Sequence, residues 1–440
     1  MHARGLGWTL GLMLTFGAVG WALPSPVQFQ AQYQFKIIYG FGASGDGVEP
    51  AGPLVFDGNG NLYGATFSGG SLGGGTVFEL MPGANGQWTE TILHNFPMEN
   101  IGDGFRPAGI IINTEGNLYG ATSEGGNGTN CKSGAGCGTV FELNLGLNGQ
   151  WTETILYNFC SLPNGADGDA SSVPTLGPDG TLYGVTEGKG TAFELVPGSN
   201  GWTFNVVYTF CSLSNCADGS YPSSSPTLDA QGNLYGETST GGLDGGACAT
   251  NGCGVIYALH PEKNVPWKEV VLHAFVPSSD DGIGPWGGMA LHQAGLYGST
   301  DGGGAMGCAG VGCGTVFELT RDPATSAPRE QILHAFGENS AQGVTPEGGV
   351  TSDARGNLFG VTIEGGSASC ECGVVYGMKP KGNGKWAFAV LHTFAYSTGE
   401  LPQFGLTVDN KGNLYGTTSA GGPNEGGVVF ELSPLAPASQ

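Results

Sequence analysis

The sequence Asn61-Leu-Tyr-Gly-Ala-Thr66, followed after a double glycine by Gly75-Thr-Val-Phe-Glu-Leu80, decides the fold because it recurs along the chain. Its first part occurs seven times, with a mean period of about 59 residues, which is typical of one structural repeat. The seven copies lie at residues 61–64, 117–120, 181–184, 233–236, 295–298, 357–360 and 413–416. The chain therefore contains seven related units.

Each unit carries the sequence features of four short β-strands. A second apolar segment, such as Val77-Phe-Glu-Leu80, follows each copy, and a third, such as Ile92-Leu-His-Asn-Phe96, ends in an aromatic residue. A weaker apolar segment, such as Leu54-Val-Phe-Asp57, precedes each copy and runs into an Asp/Gly-rich turn typical of a hairpin. Helical periodicity is absent after the N-terminal segment, so we predict an all-β protein.

The number and order of these segments predict a seven-bladed β-propeller of four-stranded antiparallel blades. The third segment follows only six of the copies, and the seventh example, Ile37-Ile-Tyr-Gly-Phe41, stands ahead of the first repeat. A strand at about residues 33–41 would therefore complete the last blade and close the ring. A linear solenoid would gain nothing from this displacement and would need capping repeats. We predict one propeller domain over residues 33–432.

The N-terminal segment resembles a secretory signal peptide. His2 and Arg4 precede an apolar run, and Gly20-Trp-Ala22 has the small-x-small pattern of a cleavage site. We expect a signal peptide at 1–22, a linker at 23–32, a C-terminal tail at 433–440 and a secreted or periplasmic protein. No later run reaches 18 apolar residues, so we expect no membrane span.

The charge balance limits the classes of partner. The chain has 37 acidic and 14 basic residues, a net charge of −23, and such a field repels nucleic acid and anionic lipid. We expect no nucleic-acid partner and a monomer. Glycine is abundant, 84 of 440 residues, but has no three-residue period, which excludes collagen.

The repeated motifs Asn-Leu-Tyr-Gly-x-Thr, Gly-Gly and Gly-Thr-Val-Phe-Glu-Leu resemble the bacterial tandem repeats called GloVer. The resemblance covers nearly the whole chain after the signal peptide. It implies an exported repeat protein, in a family whose members carry varied C-terminal anchors and whose activity is not established. No catalytic residue is therefore carried over. Residues 433–440 contain no sorting segment, which favours release or periplasmic retention.

The cysteines follow the repeat. We predict disulfides that staple the loop between the second and third strands, as well as one in another loop; the five pairs are Cys131 with Cys137, Cys248 with Cys253, Cys308 with Cys313, Cys370 with Cys372, and Cys211 with Cys216. Cys160 is then left unpaired, and a Cys160–Cys211 bridge is the alternative. Zinc bound by thiolates is disfavoured, because four would have to converge from different blades.

Comparison of the units separates structural residues from candidate site residues. The His, Glu and Trp residues that recur at equivalent strand positions are interpreted as structural. We expect binding on the face that carries the variable loops. The candidate ligand-binding residues there are Trp286, Arg106, Tyr221 and Lys189. Trp286 falls outside the recurrent tryptophan pattern, and the alternative is that its large apolar side chain plugs the channel. The short loop Glu187-Gly-Lys-Gly190 predicts a notch beside the channel.

Unrepeated acidic residues on the same face are candidates for catalysis. Glu187, Asp301 and Glu364, assisted by Arg106, could act on a polysaccharide if two carboxylates lie about 5–9 Å apart. Recurrent Asp-Gly pairs are interpreted as turns. We expect no cofactor and no metal; calcium at Asp167-Gly-Asp169 or Asp280-Asp281 is an alternative that lacks the spacing of a known calcium loop.

Three functions agree with these observations. The first is a secreted module that binds a glycan or another extracellular polymer through the variable face. The second is a polysaccharide hydrolase or lyase. The third is an envelope scaffold for protein interactions. The fold alone does not separate them, because propellers serve all three purposes.

Overall fold

Seven four-stranded antiparallel sheets form a ring in the computed structural model of the chain, so the predicted seven-bladed all-β propeller is confirmed. The structure describes residues 33–98, 102–131, 134–187, 190–243, 248, 251–263, 266–276, 281–304, 307–322, 325, 327–338, 340–367 and 369–435. The predicted signal peptide and linker lie outside these ranges. Within the described part of the chain, no helix has the length and hydrophobicity needed to cross a bilayer.

In blades 1 to 6 the strands are hydrogen-bonded in sequence order, the first being innermost, and in blade 7 the N-terminal strand is the outermost. Blade 1 contains β2 (Gly47–Phe56), β3 (Leu62–Gly69), β4 (Gly73–Pro82) and β5 (Trp88–Pro97). Blade 2 contains β6 (Gly104–Ile112), β7 (Leu118–Gly125), β8 (Thr139–Leu145) and β9 (Trp151–Asn158). Blade 3 contains β10 (Thr175–Leu176), β11 (Leu182–Thr186), β12 (Thr191–Gly198) and β13 (Gly201–Thr209). In blades 4 and 5 the strands are β14 (Thr227–Leu228), β15 (Leu234–Thr238), β16 (Val255–His260), β17 (Lys268–Ala274); β18 (Gly282–Pro285), β19 (Ala290–His292), β20 (Gly295–Gly303), β21 (Thr315–Arg321) and β22 (Pro328–Ala335), of which β18 and β19 form a divided inner strand. In blades 6 and 7 they are β23 (Val350–Ser352), β24 (Leu358–Thr362), β25 (Val374–Gly382), β26 (Lys385–Thr393); β27 (Thr407–Val408), β28 (Leu414–Thr418), β29 (Val428–Pro434) and β1 (Tyr33–Gly40).

The N-terminal strand closes the ring, as the displaced third segment predicts. β1 pairs with β29 from Tyr33 opposite Pro434 to Gly40 opposite Val428. On the channel side, the Thr407 hydroxyl donates a hydrogen bond to the Leu54 carbonyl, which joins blade 7 to blade 1. The last blade is therefore built from both ends of the described chain.

The glycine of each Leu-Tyr-Gly motif lies beneath an aromatic ring of the third strand. Gly298 pairs directly with Phe317, and a Cβ added at Gly298 would lie 2.5 Å from the ring's Cζ. The same pairing is found in every blade: Gly64 with Phe78, Gly120 with Phe141, Gly184 with Phe193, Gly236 with Tyr257, Gly360 with Tyr376, and Gly416 with Phe430. All seven rings are fully buried. Glycine recurs here because any side chain would displace the ring.

The remaining motif residues make local hydrogen bonds. The threonine that ends Leu-Tyr-Gly-x-Thr accepts a bond from a backbone N–H of the third strand, as Thr66 does from Thr76. The glutamate of Phe-Glu-Leu accepts a bond from the tyrosine of the neighbouring strand, as Glu318 does from Tyr297 at 2.8 Å. Asp57 accepts bonds from two backbone N–H groups of its own hairpin. These bonds explain why the motif residues recur.

The blades bury their faces against one another. Phe96 on the outer strand of blade 1 packs against Phe141 in blade 2, with ring centroids 5.2 Å apart. Recurrent histidines of the outer strands belong to the same packing: His334 stacks on Phe388, and His392 stacks on Phe35. Burial lowers the pKa of both imidazoles to about 4. These two histidines therefore pack as neutral rings.

The glycine–aromatic pairing predicts a selective loss of stability. Gly298→Ala should lower the free energy of unfolding by about 1–3 kcal/mol, because the added methyl group overpacks the blade centre. Gly58→Ala is the matched control: nothing lies within 4 Å of its added Cβ and its φ is ordinary, so a change of about 0.5 kcal/mol or less is expected. Urea-induced unfolding measures both. Equal midpoints for the two variants would contradict the packing argument.

Candidate functional site

A cavity of about 870 Å³ lies among the inner strands, at the centre of the ring. Its wall contains residues of all seven blades, and many are Gly, Ala or Ser, as with Gly52, Ser224 and Gly405. The ends of the second strands also line it, at Phe67, Ser123 and Glu187. Because most wall residues have small side chains, the few larger ones determine which ligands fit in the cavity.

The loops that lead into the blades share one backbone feature. At the same point in each blade a residue takes a left-handed conformation, with φ between 50° and 62°; these residues are Glu49, Arg106, Ala170, Tyr221, Gly284, Thr345 and Leu401. The next residue is proline in every blade except blade 3, where it is Ser171. Non-glycine residues seldom adopt this conformation, so its recurrence in every blade identifies a structural element of the repeat.

The residue after that proline lines the cavity in every blade. We call this set the mouth ring: Ala51, Ala108, Ser172, Ser223, Trp286, Glu347 and Gln403. Its members are small in blades 1 to 4 and large or polar in blades 5 to 7. At this one position, the channel wall therefore carries larger or more polar side chains in blades 5 to 7 than in blades 1 to 4.

Trp286 is the aromatic member of the mouth ring and is 36% exposed. The backbone of Trp286 is anchored to β20 by two hydrogen bonds of 3.3 Å. The Trp286 N–H donates to the Ser299 carbonyl, and the Ser299 hydroxyl donates to the Trp286 carbonyl. After the N-terminal segment, Trp286 is the tryptophan that lies outside the recurrent position at the start of the fourth strand. The structure places Trp286 in the cavity wall.

Three carboxyl groups of blades 5 and 6, Asp301, Glu347 and Glu364, interact electrostatically. Burial and the neighbouring Glu347 raise the pKa of Asp301 to about 7. Burial and the charge of Glu364 raise the pKa of Glu347. Asp301 and Glu364 were sequence candidates, whereas Glu347 was missed; comparing the residues that follow the repeated proline would have found it.

Glu187 lies at the opposite part of the cavity wall. It is exposed, and its pKa is raised by desolvation and by the charge of Asp169. Oδ1 of Asp169 is buried and has no hydrogen-bond partner among the described residues. Lys189, the candidate cation of the same loop, lies outside the described residues.

Two other candidates lie near the cavity but outside its lining. Arg106 forms an ion pair with Glu124, and its guanidinium lies 5.1 Å from the centre of the Phe67 ring. Tyr221 is 58% exposed at the left-handed position of blade 4. Arg106 is thus held by a neighbouring carboxylate, and Tyr221 extends the mouth face beyond the cavity.

Glu237 is a buried acid that the sequence analysis missed. One of its carboxyl oxygens accepts bonds from the Gly288 N–H at 2.7 Å and the Ser224 hydroxyl at 2.9 Å, both groups of the cavity wall. Its other oxygen is buried and has no partner among the described residues. Burial raises its pKa to about 7. Ala65, Ala121, Val185, Ser299, Val361 and Thr417 occupy the equivalent positions, and that break in the pattern is the signal that could have found Glu237.

The cysteines are adjacent in all five predicted pairs, with Cα–Cα distances from 3.9 to 5.6 Å. The structure brings Cys160 to Cys137, with Cα atoms 6.1 Å apart, instead of leaving it unpaired or beside Cys211. Since one sulfur forms one disulfide, Cys131 and Cys160 are alternative partners of Cys137.

The Asp-Gly aspartates hold the loops between blades. Asp167 accepts hydrogen bonds from the Ser161 and Leu162 N–H groups and from the Tyr157 hydroxyl. Asp218 makes the equivalent bonds in the next loop. These oxygens already have protein partners, as expected of turn residues; Asp280 lies outside the described residues.

Comparisons with known proteins identify the repeat and the architecture. A sequence model of the Gloeobacter/Verrucomicrobia repeat matches residues 25–249 and 243–439. No curated protein matches the chain.

Among solved structures, virginiamycin B lyase from Staphylococcus aureus is similar, with a TM-score of 0.51 and 13% identity over 92% of this chain and 99% of that one. The extracellular domain of a protein described as a hybrid two-component system from B. thetaiotaomicron has a TM-score of 0.54 and 12% identity, over 93% of this chain and 40% of that one. At such identities the likeness concerns the fold.

The buried Glu237 predicts a pH-dependent contribution to stability. The fold favours its neutral form, so the contribution is present below about pH 4.5 and is lost as the pH rises through about 7. In Glu237→Gln this component is absent while the other acids are unchanged. The difference in unfolding free energy between the two proteins should therefore change by roughly 1.4 kcal/mol per pH unit across that interval.

Urea unfolding at several pH values between 4.5 and 7.5 measures this difference. Glu262→Gln, at an exposed position, is the control and should follow the wild-type curve. Parallel curves for the wild type and Glu237→Gln would contradict the assignment.

Proposed function

The chain belongs to the Gloeobacter/Verrucomicrobia repeat family, and we propose that this member is an exported module that binds a neutral glycan at the mouth of its channel. The observation that carries the proposal is the exposed indole of Trp286 on the cavity wall, beside carboxylate, amide and hydroxyl groups of the mouth ring. An aromatic face packs against the apolar face of a sugar ring, while the polar groups hydrogen-bond to its hydroxyls.

The charge of the cavity favours a neutral ligand over an acidic one. Glu187 and Glu347 lie in the wall, and no lysine or arginine is found among the described lining residues. Arg106, close by, is paired with Glu124. An anionic sugar would therefore meet repulsion, whereas sugar hydroxyls can donate to the carboxylates.

Export is supported by the N-terminal sequence and by the cysteines. The apolar run after His2 and Arg4 has the features of a signal peptide. Adjacent cysteine pairs suit an oxidising compartment. Such a location would bring the channel mouth into contact with extracellular or periplasmic polymers.

A polysaccharide hydrolase or lyase is the second candidate, favoured by the pKa of Asp301. A carboxyl that is protonated near pH 7 and lies beside a second acid, Glu347, is what general acid catalysis at a glycosidic bond requires. In that case Asp301 would donate the proton to the leaving oxygen. Glu347 would act as nucleophile or base.

Binding and cleavage can be tested in one experiment. The purified protein is incubated with insoluble cellulose, chitin and other neutral polysaccharides and with an acidic polymer, and both retention and new reducing ends are measured. We expect retention on a neutral polymer without cleavage. Trp286→Ala should weaken the binding by about tenfold or more, the scale of a lost aromatic anchor.

Tyr396→Ala is the matched control, since Tyr396 is 61% exposed and does not line the cavity. It should bind like the wild type. New reducing ends that disappear in Asp301→Asn would favour the hydrolase. Absence of both retention and cleavage would overturn both functions and favour the scaffold.

A further inference from the structure

The outer rim of the ring repeats one arrangement at each junction between blades. A His or Tyr from the outer strand of one blade is matched by a residue near the start of the outer strand of the next, and the connecting loop carries an aspartate at five junctions. Three junctions are ring stacks: Tyr157 on Phe204, His334 on Phe388 and His392 on Phe35. The other four have Glu in place of Phe: Glu90, Glu153, Glu269 and Glu330.

Two of the four Glu junctions bring histidine, aspartate and glutamate together. At the junction of blades 1 and 2, His94 meets Asp103 and Glu153; at the junction of blades 4 and 5, His273 meets Asp281 and Glu330. In both clusters, one ligand atom of each residue lies within 4.8 Å of the others. Imidazole nitrogen and carboxylate oxygen are ligands of zinc and related divalent metals.

The spacing in the first cluster suits a metal better than a hydrogen bond. Nε2 of His94 lies 3.7 Å from Asp103 Oδ2 and 3.8 Å from Glu153 Oε2. These separations exceed hydrogen-bond length, and His94 Nε2 and Glu153 Oε1 are buried with no partner among the described residues. Metal–ligand bonds of about 2.0–2.2 Å in a tetrahedron place ligand atoms roughly 3.3–3.6 Å apart. Small side-chain shifts would complete that geometry.

The second cluster repeats the first with a tighter contact. His273 Nε2 lies 3.2 Å from Asp281 Oδ1, within hydrogen-bond distance, and the two Asp281 oxygens also accept backbone N–H bonds from Gly282 and Val276. Glu330 Oε1 is buried and unpartnered among the described residues. Asp281 is itself almost fully buried, at 6% exposure. The same three ligand types thus meet at two junctions related by the repeat.

We propose that the two clusters, His94 with Asp103 and Glu153 and His273 with Asp281 and Glu330, are sites for Zn²⁺ or a similar divalent transition metal that clamps adjacent blades. Two carboxylates match the charge of the ion, and the neutral imidazole supplies nitrogen. The His94 and Asp103 side chains are 21% and 22% exposed, so solvent reaches the first site and can supply a fourth ligand. This inference departs from the sequence expectation of no metal.

The two Glu junctions that have tyrosine in place of histidine are natural controls within the same fold. The Tyr39 hydroxyl donates to Asp46 at 3.1 Å, beside Glu90, and the Tyr208 hydroxyl donates to Asp218 at 3.0 Å, beside Glu269. A neutral phenol completes the hydrogen bonding of the aspartate and is a poor metal ligand. The fold therefore accepts tyrosine at the histidine position, which makes His94→Tyr and His273→Tyr conservative tests.

The experiment is titration of the purified, chelator-treated protein with Zn²⁺ by calorimetry and with Co²⁺ by visible absorption, which reports coordination directly. We expect two equivalents bound and a rise in melting temperature. His94→Tyr and His273→Tyr should each lose one equivalent, and the double variant should lose both. Tyr208→Phe, at a tyrosine junction, should still bind two.

The outcomes separate loss of the site from loss of the fold. Each variant's melting temperature without metal is compared with that of the wild type, and Glu153→Gln provides a second way to remove a ligand at the first site. Failure of the wild type to bind either ion would overturn the proposal. So would unchanged stoichiometry in a folded double variant.

Discussion

The structure depends on the contact between a glycine and an aromatic ring at the centre of every blade. Where β3 pairs with β4, Gly64 leaves space that the buried ring of Phe78 fills, and the same pairing recurs around the ring. The aromatic ring can pack there only because the second strand has a glycine, with no side chain, opposite it. Because each blade is built on this contact, the flanking Leu, Tyr and Thr fall into fixed register, and the loops at the channel mouth begin from equivalent positions.

Repetition explains why the fold could be predicted from the sequence. Seven copies of one motif report the same strand pairing, and the displaced strand ending at Phe41 is informative only because six others stand in their usual place. The same comparison between repeats indicated that the recurrent Glu and Asp residues are structural. The hydrogen bonds of Glu318 and Asp57 agree with those interpretations.

The candidate site was harder to predict because it is made of departures from the repeat. Trp286 was found as an exception among tryptophans, but Glu347 occupies the same register position in the next blade and was not compared with it. Whether Asp301, Glu347 and Glu364 influence one another depends on how closely blades 5 and 6 approach, which no spacing in one chain reports. Glu237 was hidden for a similar reason, since its partners Gly288 and Ser224 come from other segments.

The pairing of β1 with β29 also constrains the order of events during synthesis. Tyr33 lies opposite Pro434, so the first described strand finds its partner only after about 400 further residues have been made. Until then its partner β29 does not exist, and β1 is an unpaired strand of the kind that recruits other chains. A premature stop anywhere before residue 428 would leave that strand without its partner, so the cell gains a closed ring only from a finished chain.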